Sequence, residues 1–129
     1  MKKKILVVIA DYYANISADL LNSAYKEIPR SFYTEIIHVP GVFEIPVTIA
    51  RNITKYHGFI ALGCVIKGKT PHFDFISQAT TNAIMKLSIE YKKPIGNGII
   101  TCLNMKQAIA RKKKGKEAAQ AVLSVLNIF

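Results

Sequence analysis

The segment GFIALGCVIKGKTPHFDF, residues 58–75, predicts a buried strand followed directly by a helix. Its first part, Gly58–Ile66, is apolar without alternation, which is typical of a strand buried on both faces of a parallel sheet. Thr70 as N-cap and Pro71 at the first helical position form a helix-start signal. The apolar spacing beyond them predicts a helix that ends near Tyr91. The segment therefore predicts one strand–helix unit of an α/β fold.

The same alternation of strands and helices continues on both sides of this segment. The other predicted strands are Lys4–Ala10, Phe32–Val39 and Pro94–Thr101. The other predicted helices are Ser17–Ile28, Glu44–Lys55, Met105–Lys112 and Lys116–Leu126. The long helix is expected to bury one face, formed by Ile76, Ala79, Ala83, Ile84 and Leu87. Right-handed βαβ units then give a flavodoxin-like α/β fold, a three-layer α/β/α sandwich with a four-stranded parallel sheet, and residues 1–129 form a single domain.

The composition indicates a folded protein without a membrane segment. The chain has 129 residues, half of them hydrophobic, so it has enough apolar surface for one core and is too apolar for disorder. The start Met1–Ala10 resembles a secretory signal, but Asp11 interrupts it and no small-residue cleavage site follows. Cys64 and Cys102 have neither CxxC nor metal-ligand spacing. We therefore expect a cytoplasmic protein with no membrane partner and no metal.

Two basic clusters supply most of the formal net charge of +10. Lys2–Lys4 forms the first cluster, and Arg111–Lys116 contains the second. Such clusters occur where a protein meets nucleic acid or a phosphorylated small molecule, and also on ordinary solvated surfaces. The charge pattern alone leaves these three interpretations open.

Ligands of parallel α/β sheets bind beyond the carboxyl ends of the strands. The predicted strands end at Ala10–Tyr12, Pro40–Glu44, Lys67–His72 and Ile100–Cys102. Tyr12 and Phe43 are candidate platforms for a planar ligand, or they belong to the core. Glu44 begins a helix, where the dipole favours a carboxylate whether or not a ligand binds.

Residues Gly63–Thr70 also match the nucleotide-binding pattern G-x-x-x-x-G-K-T. A phosphate-binding loop of that class needs a flexible backbone between its glycines, whereas Cys64-Val65-Ile66 is the apolar end of a strand. The only later strand, Pro94–Thr101, contains no acidic residue to hold magnesium. The match therefore does not indicate a nucleotide triphosphatase.

The second half of that pattern still indicates an anion site. Gly68-Lys69-Thr70-Pro71 leads into a helix N-terminus, whose free N–H groups favour a negative ligand. His72 lies in the first turn, where a neutral imidazole is available as a proton acceptor. A capped helix without a ligand and a merely exposed histidine remain alternatives.

Four motifs together resemble the lumazine synthase family. They are GVFEIP at residues 41–46, ALGCVIKGKTPHFD at 61–74, PIGNGIIT at 94–101 and QAIAR at 107–111. They occur in the family's order, and the resemblance spans nearly the whole chain. It implies a cofactor-free transferase that condenses 5-amino-6-(D-ribitylamino)uracil with 3,4-dihydroxy-2-butanone 4-phosphate. The products are 6,7-dimethyl-8-ribityllumazine and phosphate, in the penultimate step of riboflavin biosynthesis.

The resemblance also implies a role for each matching residue. His72 is the implied proton-transfer residue. The residues implied for the pyrimidine and ribityl chain are Tyr12, Val42, Phe43, Glu44, Cys64, Val65, Ile66 and Asn97. The residues implied for the butanone phosphate are Lys69, Thr70, Arg111 and Lys114.

Some positions depart from the family pattern. Asn97 stands where many members carry Phe, and Lys67 replaces the usual Arg. The loop between Arg111 and Lys114-Gly115 is shortened. The resemblance further implies a homopentamer with sites between subunits, in which Asn97, Arg111 and Lys114 face the neighbouring chain. A decamer or closed shell remains open, riboflavin synthase is a candidate partner, and no nucleic acid is expected.

Two other interpretations stay open on the sequence. The first is a paralogue that binds flavin or lumazine without catalysis, because the same pocket serves both activities. The second is a flavodoxin-like module that binds RNA through its basic clusters, although it lacks a recognised RNA-binding signature.

Overall fold

One parallel sheet organises the molecule. The computed structural model describes residues 2–127; Met1, Ile128 and Phe129, which the single-domain prediction includes, lie outside the described residues. The strands are β1 (Lys4–Ala10), β2 (Tyr33–Val39), β3 (Gly58–Ile66) and β4 (Ile95–Cys102). The helices are α1 (Ala14–Tyr25), α2 (Ile45–Arg51), α3 (His72–Tyr91), α4 (Met105–Arg111) and α5 (Gly115–Leu126). All strand pairs are parallel, in the order β2-β1-β3-β4, which confirms the predicted α/β fold.

The helices cover both faces of the sheet, and two apolar clusters mark the layers. Alternate residues of β1, such as Ile5 and Val7, pack with α1, α4 and α5. The residues between them, such as Leu6 and Val8, pack with α2 and α3. Because β1 and β3 are the inner strands, their side chains are buried on both faces, as the unbroken apolar runs predict. Phe59 alone, fully buried, stabilises the fold by about 1.5–3 kcal/mol.

The predicted start of α3 and the predicted bounds of α2 are wrong, and α1 begins at Ala14 instead of Ser17. Thr70 is not the N-cap of α3, because Pro71 occupies that position and the first bonds run from the N–H groups of Asp74 and Phe75 to the Pro71 carbonyl. The Thr70 side chain is therefore left facing the cleft described below. The predicted helix Glu44–Lys55 is instead a 3₁₀ turn, Val42–Glu44, followed by the shorter α2.

The long helix α3 is less buried than its sequence predicts. Ile84 is buried as expected and Thr80 joins it, but Ala79 is exposed. The reason is that α3 leaves part of the edge strand β4 uncovered. Two large side chains of α3 lie in solvent, with Phe75 68% and Ile89 69% exposed. Although α3 is the longest helix described, no helix among residues 2–127 has the length and apolar character needed to cross a bilayer.

Helix α5 packs unusually close to β4 because Gly96 has no side chain. A Cβ atom at Gly96 would lie 2.2 Å from the carbonyl oxygen of Ala118 and 2.8 Å from a methyl group of Val122. The first of these neighbours is backbone, which cannot rotate away. The contact between sheet and helix therefore requires glycine at this position.

We predict that Gly96→Ala lowers the free energy of unfolding by about 1–3 kcal/mol, because α5 must shift to admit the methyl group. Gly68→Ala is the matched control, since a Cβ there meets nothing within 4 Å. Urea unfolding followed by circular dichroism measures both variants. Equal stabilities for the two variants would contradict the close-packing argument.

Candidate active site

A cleft of about 610 Å³ opens at the carboxyl ends of β1 and β3. Nine of the residues predicted from the sequence line it: Tyr12, Val42, Phe43, Glu44, Cys64, Val65, Ile66, Thr70 and His72. The strand ends bring these separate segments together because all parallel strands finish at the same edge of the sheet. The cleft thus lies where the topology predicts a ligand site.

Two aromatic side chains stand exposed in the cleft. Tyr12 is 77% exposed and follows β1, while Phe43 is 62% exposed and lies in the 3₁₀ turn after β2. The ring of Tyr12 meets the edge of the Tyr13 ring, with centroids 4.9 Å apart and planes at 78°. Large aromatic surfaces left in water at a concave site are available to stack on a planar ligand.

The 3₁₀ turn holds Glu44 in a fixed orientation. One carboxylate oxygen, Oε1, accepts a hydrogen bond of 2.9 Å from the N–H group of Gly41. The Glu44 carbonyl accepts a second hydrogen bond, of 2.8 Å, from the hydroxyl of Thr48. The carboxylate is thereby fixed through one oxygen, and the side chain still lines the cleft. Such a carboxylate suits the hydroxyl groups of a polyol.

The end of β3 forms the apolar floor of the cleft. Cys64 is buried, and burial together with the neighbouring Cys102 raises the pKa of its thiol to about 12. The thiol is therefore neutral at physiological pH and behaves as a small apolar group. Beyond the strand, the N–H group of Lys67 donates to the Cys102 carbonyl, so the β3–β4 ladder continues to the start of the next loop.

Three consecutive N–H groups remain free in the loop that follows. Within residues 2–127, no acceptor is found for the backbone N–H groups of Gly68, Lys69 or Thr70. The next N–H group, that of His72, lies 3.4 Å from the Thr70 hydroxyl, which is long for a hydrogen bond. Free N–H groups beside the positive end of a long helix form an anion site.

His72 is the first residue of α3, and its exposed side chain is among those that line the cleft. An imidazole in this position can exchange protons with a bound ligand. No group of three or more metal-binding side chains is found in the described part of the chain. The chemistry that this geometry supports is anion binding combined with proton transfer.

Comparison with known proteins decides the family. The sequence profile of 6,7-dimethyl-8-ribityllumazine synthase matches residues 2–129. The chain belongs to this family. The 6,7-dimethyl-8-ribityllumazine synthase of Agrobacterium fabrum is 39% identical over an alignment of 140 residues, gaps included. The alignment covers 98% of this chain and 95% of that protein. That of Bartonella henselae is 42% identical over 135 residues, covering 97% and 87%.

A third relative extends the similarity. The 6,7-dimethyl-8-ribityllumazine synthase 1 of Rhodopseudomonas palustris is 40% identical over 138 residues, which cover 97% of this chain and 85% of that protein. The resemblance inferred from the four sequence motifs is confirmed.

Four residues predicted for the lumazine synthase site do not line this cleft. Lys69 lies at its rim, between two lining residues. Arg111 donates to the Thr101 carbonyl at 3.0 Å, and Lys114 pairs with Glu117 at 2.8 Å. Asn97 is exposed on β4 and accepts from the N–H group of Ile99 at 3.0 Å. The last three follow or belong to the edge strand β4, and none of them is among the residues that line the cleft.

Five further residues line the cleft; Gly41 and Gly68 belong to segments that the sequence places at the site, but none of the five is predicted as a catalytic or substrate-binding residue. They are Tyr13, Gly41, Gly68, Phe73 and Ile76. All except Ile76 could have been predicted from the sequence, because each directly precedes or follows a predicted site residue at the end of a strand. Ile76 was expected in the core; it lies one helical turn beyond His72, which brings it to the cleft wall.

We predict that Cys64 reacts at least about tenfold more slowly with a thiol-specific disulfide reagent at pH 8 in the native protein than in denaturant. The physical reason is that burial and the adjacent Cys102 raise the pKa of the Cys64 thiol to about 12, so little thiolate forms. Cys64→Ser and Cys102→Ser variants assign each reaction. The expectation would be contradicted if the native protein reacted rapidly with the reagent and this rapid reaction were lost in Cys64→Ser but kept in Cys102→Ser.

Proposed function

We propose that this chain is the transferase for which its family is named. It forms 6,7-dimethyl-8-ribityllumazine from 5-amino-6-(D-ribitylamino)uracil and 3,4-dihydroxy-2-butanone 4-phosphate, and it releases phosphate. The observation that carries this proposal is the convergence of aromatic, carboxylate, histidine and free N–H groups in one cleft of a chain that belongs to the family. Residues 1–129 act as one lumazine synthase-like domain.

The aromatic end of the cleft suits the pyrimidine substrate. Tyr12 and Phe43 offer exposed ring faces for the planar uracil, and Val42 contributes apolar contact. The strand end at Cys64, Val65 and Ile66 reads the uracil edge. Glu44, held through one oxygen, accepts hydrogen bonds from the ribityl hydroxyls with the other.

The loop end of the cleft suits the phosphate of the second substrate. The free N–H groups of residues 68–70 and the Thr70 hydroxyl supply fixed donors. Lys69 adds positive charge at the rim, and Arg111 and Lys114 complete the phosphate site from a neighbouring subunit. Fixed donors need no reorganisation when the phosphate departs, so they stabilise the charge that develops on it.

His72, which lines the same cleft, transfers protons. The pyrimidine's amino group attacks the ketone of the butanone phosphate, and loss of water gives an imine. Elimination of phosphate leaves an enol that tautomerises to a ketone. The ribityl-bearing nitrogen attacks this ketone, and loss of a second water closes the ring and forms the lumazine. Each stage moves a proton between nitrogen, carbon and oxygen atoms, which a nearby imidazole accelerates.

The experiment that tests this function combines the purified protein with both substrates and follows lumazine absorbance. The reaction must require both substrates and must exceed the uncatalysed condensation. Binding of lumazine or flavin without turnover would instead favour the non-catalytic paralogue, and RNA binding with a steep salt dependence would favour the basic module.

We predict that His72→Ala lowers turnover roughly tenfold or more, because the proton transfers lose their catalyst. The uncatalysed reaction between amine and ketone sets the remaining rate. Gln78→Ala, on an exposed position of the same helix, is the control for damage to α3. Unchanged kinetics in a folded His72→Ala protein would remove this residue from the mechanism.

We predict that Arg111→Ala raises the apparent KM for the butanone phosphate roughly ten- to hundredfold, because a charged hydrogen bond to phosphate is lost. The KM for the pyrimidine should change far less. Arg111→Lys should restore only part of the affinity, since an ammonium group cannot make the forked contact. Lys113→Ala, an exposed lysine nearby, is the matched control. Equal effects on both substrates would indicate a structural role.

The exposed face of α3 and the placement of Asn97, Arg111 and Lys114 together support a shared site. The apolar side chains of α3 need a covering surface, and cyclic closure supplies one without leaving an open patch. We propose a homopentamer in which each cleft receives these three residues from the next chain. A cytoplasmic location and a partnership with riboflavin synthase remain part of this proposal.

We predict that co-expressed His72→Ala and Arg111→Ala chains recover about a quarter of wild-type activity at limiting substrate. In a random mixture, about half of the clefts keep His72, and about half of those receive Arg111 from the neighbouring chain. Light scattering after gel filtration should give about 72 kDa, the mass of five 14.3 kDa chains. A 14.3 kDa monomer that makes lumazine, or mixed assemblies without recovery, would contradict the shared site.

A further inference from the structure

A side-chain hydrogen bond joins the ends of the two neighbouring strands β1 and β2. The Nδ1 atom of His38 lies 3.0 Å and 2.9 Å from the two carboxylate oxygens of Asp11. The N–H group of Asp11 also donates to the Val39 carbonyl at 2.9 Å. The first residue beyond β1 is thus attached to β2 through both its backbone and its side chain.

Tyr12 follows Asp11 directly, and few other contacts restrain its side chain. Its ring is 77% exposed and touches the edge of Tyr13. Helix α1 begins directly afterwards, and its N-cap residue Tyr13 makes no side-chain capping bond. Among side-chain hydrogen bonds in residues 2–127, those between Asp11 and His38 are the ones that involve residues 11–13. Backbone hydrogen bonds hold both ends of the segment, since the Asp11 N–H group donates to the Val39 carbonyl and the Ser17 N–H group donates to the Tyr13 carbonyl. The contact between Asp11 and His38 is the side-chain restraint next to Tyr12.

The pair itself does not reach the ligand. Neither Asp11 nor His38 lines the cleft, and both side chains are about half exposed, at 43% and 57%. A side-chain pair with this exposure contributes little to folding, because water competes for both groups. Its effect is expected in the site, where an ordered Tyr12 loses less conformational entropy when a ligand binds.

We infer that the Asp11–His38 pair positions Tyr12 against the planar ring of the pyrimidine substrate. The inference rests on the proposed function, in which Tyr12 stacks on the uracil. Asp11 and His38 are positioning residues that act through the segment between β1 and α1. Their loss frees Tyr12 to take other orientations, so the pyrimidine binds more weakly while the phosphate site at residues 68–70 is unaffected.

The test measures steady-state kinetics for Asp11→Ala, His38→Ala and the double variant. Each single change should raise the KM for the pyrimidine roughly three- to tenfold, and the double change should be no worse than one single change. The KM for the butanone phosphate and the unfolding free energy should stay constant. His38→Asn should restore most of the affinity, because its amide nitrogen can stand where Nδ1 stands.

A second side-chain pair in the same chain gives the matched control. Lys112 and Asp19 lie 3.4 Å apart and are exposed to a similar degree, at 38% and 44%. Asp19→Ala should leave the KM for the pyrimidine unchanged, because that pair lies beside Arg111 and not beside a residue proposed to bind the pyrimidine. A general effect of lost surface charge would appear equally in Asp19→Ala and Asp11→Ala, and it would overturn the inference.

Failure of the inference can be told apart from failure of the proposed function. Additive effects, equal shifts in both KM values, or no shift at all would each overturn the positioning role while lumazine formation by the wild type continues. A Tyr12→Ala variant with unchanged pyrimidine KM would overturn it as well. If the wild type forms no lumazine, the proposed function fails, and fluorescence titration with 6,7-dimethyl-8-ribityllumazine decides the inference: weaker binding by Asp11→Ala supports it, and equal binding overturns it.

Discussion

The parallel pairing of β3 with β1 on one side and β4 on the other is the constraint on which the rest of the structure depends. Val8 stands opposite Ala61, and Ala61 stands opposite Asn97, so the three strands advance together toward one edge. Because strand side chains alternate, a slip of one residue would exchange the β3 side chains that pack against the two helix layers. The same register sets the depth of the cleft, since Tyr12 and Ile66 reach it only when β1 and β3 finish at the same level. Core packing and site geometry are therefore two results of one alignment.

Much of the fold could be predicted from the sequence because its strongest signals are long and local. The bounds of β3, Gly58–Ile66, agree with its apolar run, since a strand buried on both faces tolerates no polar residue. The predicted end of α3 at Tyr91 is also confirmed, and the next residue, Lys92, adopts the left-handed conformation that stops a helix. Helix starts were harder to predict. Helix α1 begins three residues before its predicted start, after a Tyr13 that makes no capping bond, so no sequence signal marks it.

The candidate site was predictable to the extent that it lies in continuous motifs at strand ends. Residues such as Phe43 and His72 follow their strands directly, and topology alone brings them together. Contacts across the strands, such as that between His38 and Asp11, depend on side-chain directions that spacing does not give. The face of α3 shows a further limit: helical periodicity identifies an apolar stripe, but it does not say whether the same chain or another surface covers it. Arg111 and Lys114 raise the same question for the site.

The free N–H groups of residues 68–70 would give the proposed anion site an unusual tolerance to sequence change. Donors that belong to the backbone are present whichever side chains occupy these positions, and they carry no proton that is lost near neutral pH. Replacement of Lys69 would alter the charge at the rim but leave the donors in place. Proline is the exception, because it lacks the N–H group. Substitutions in this loop should therefore drift among many residue types while phosphate recognition persists, and an enzyme engineer can vary the loop's side chains to reshape substrate choice without rebuilding the anion site.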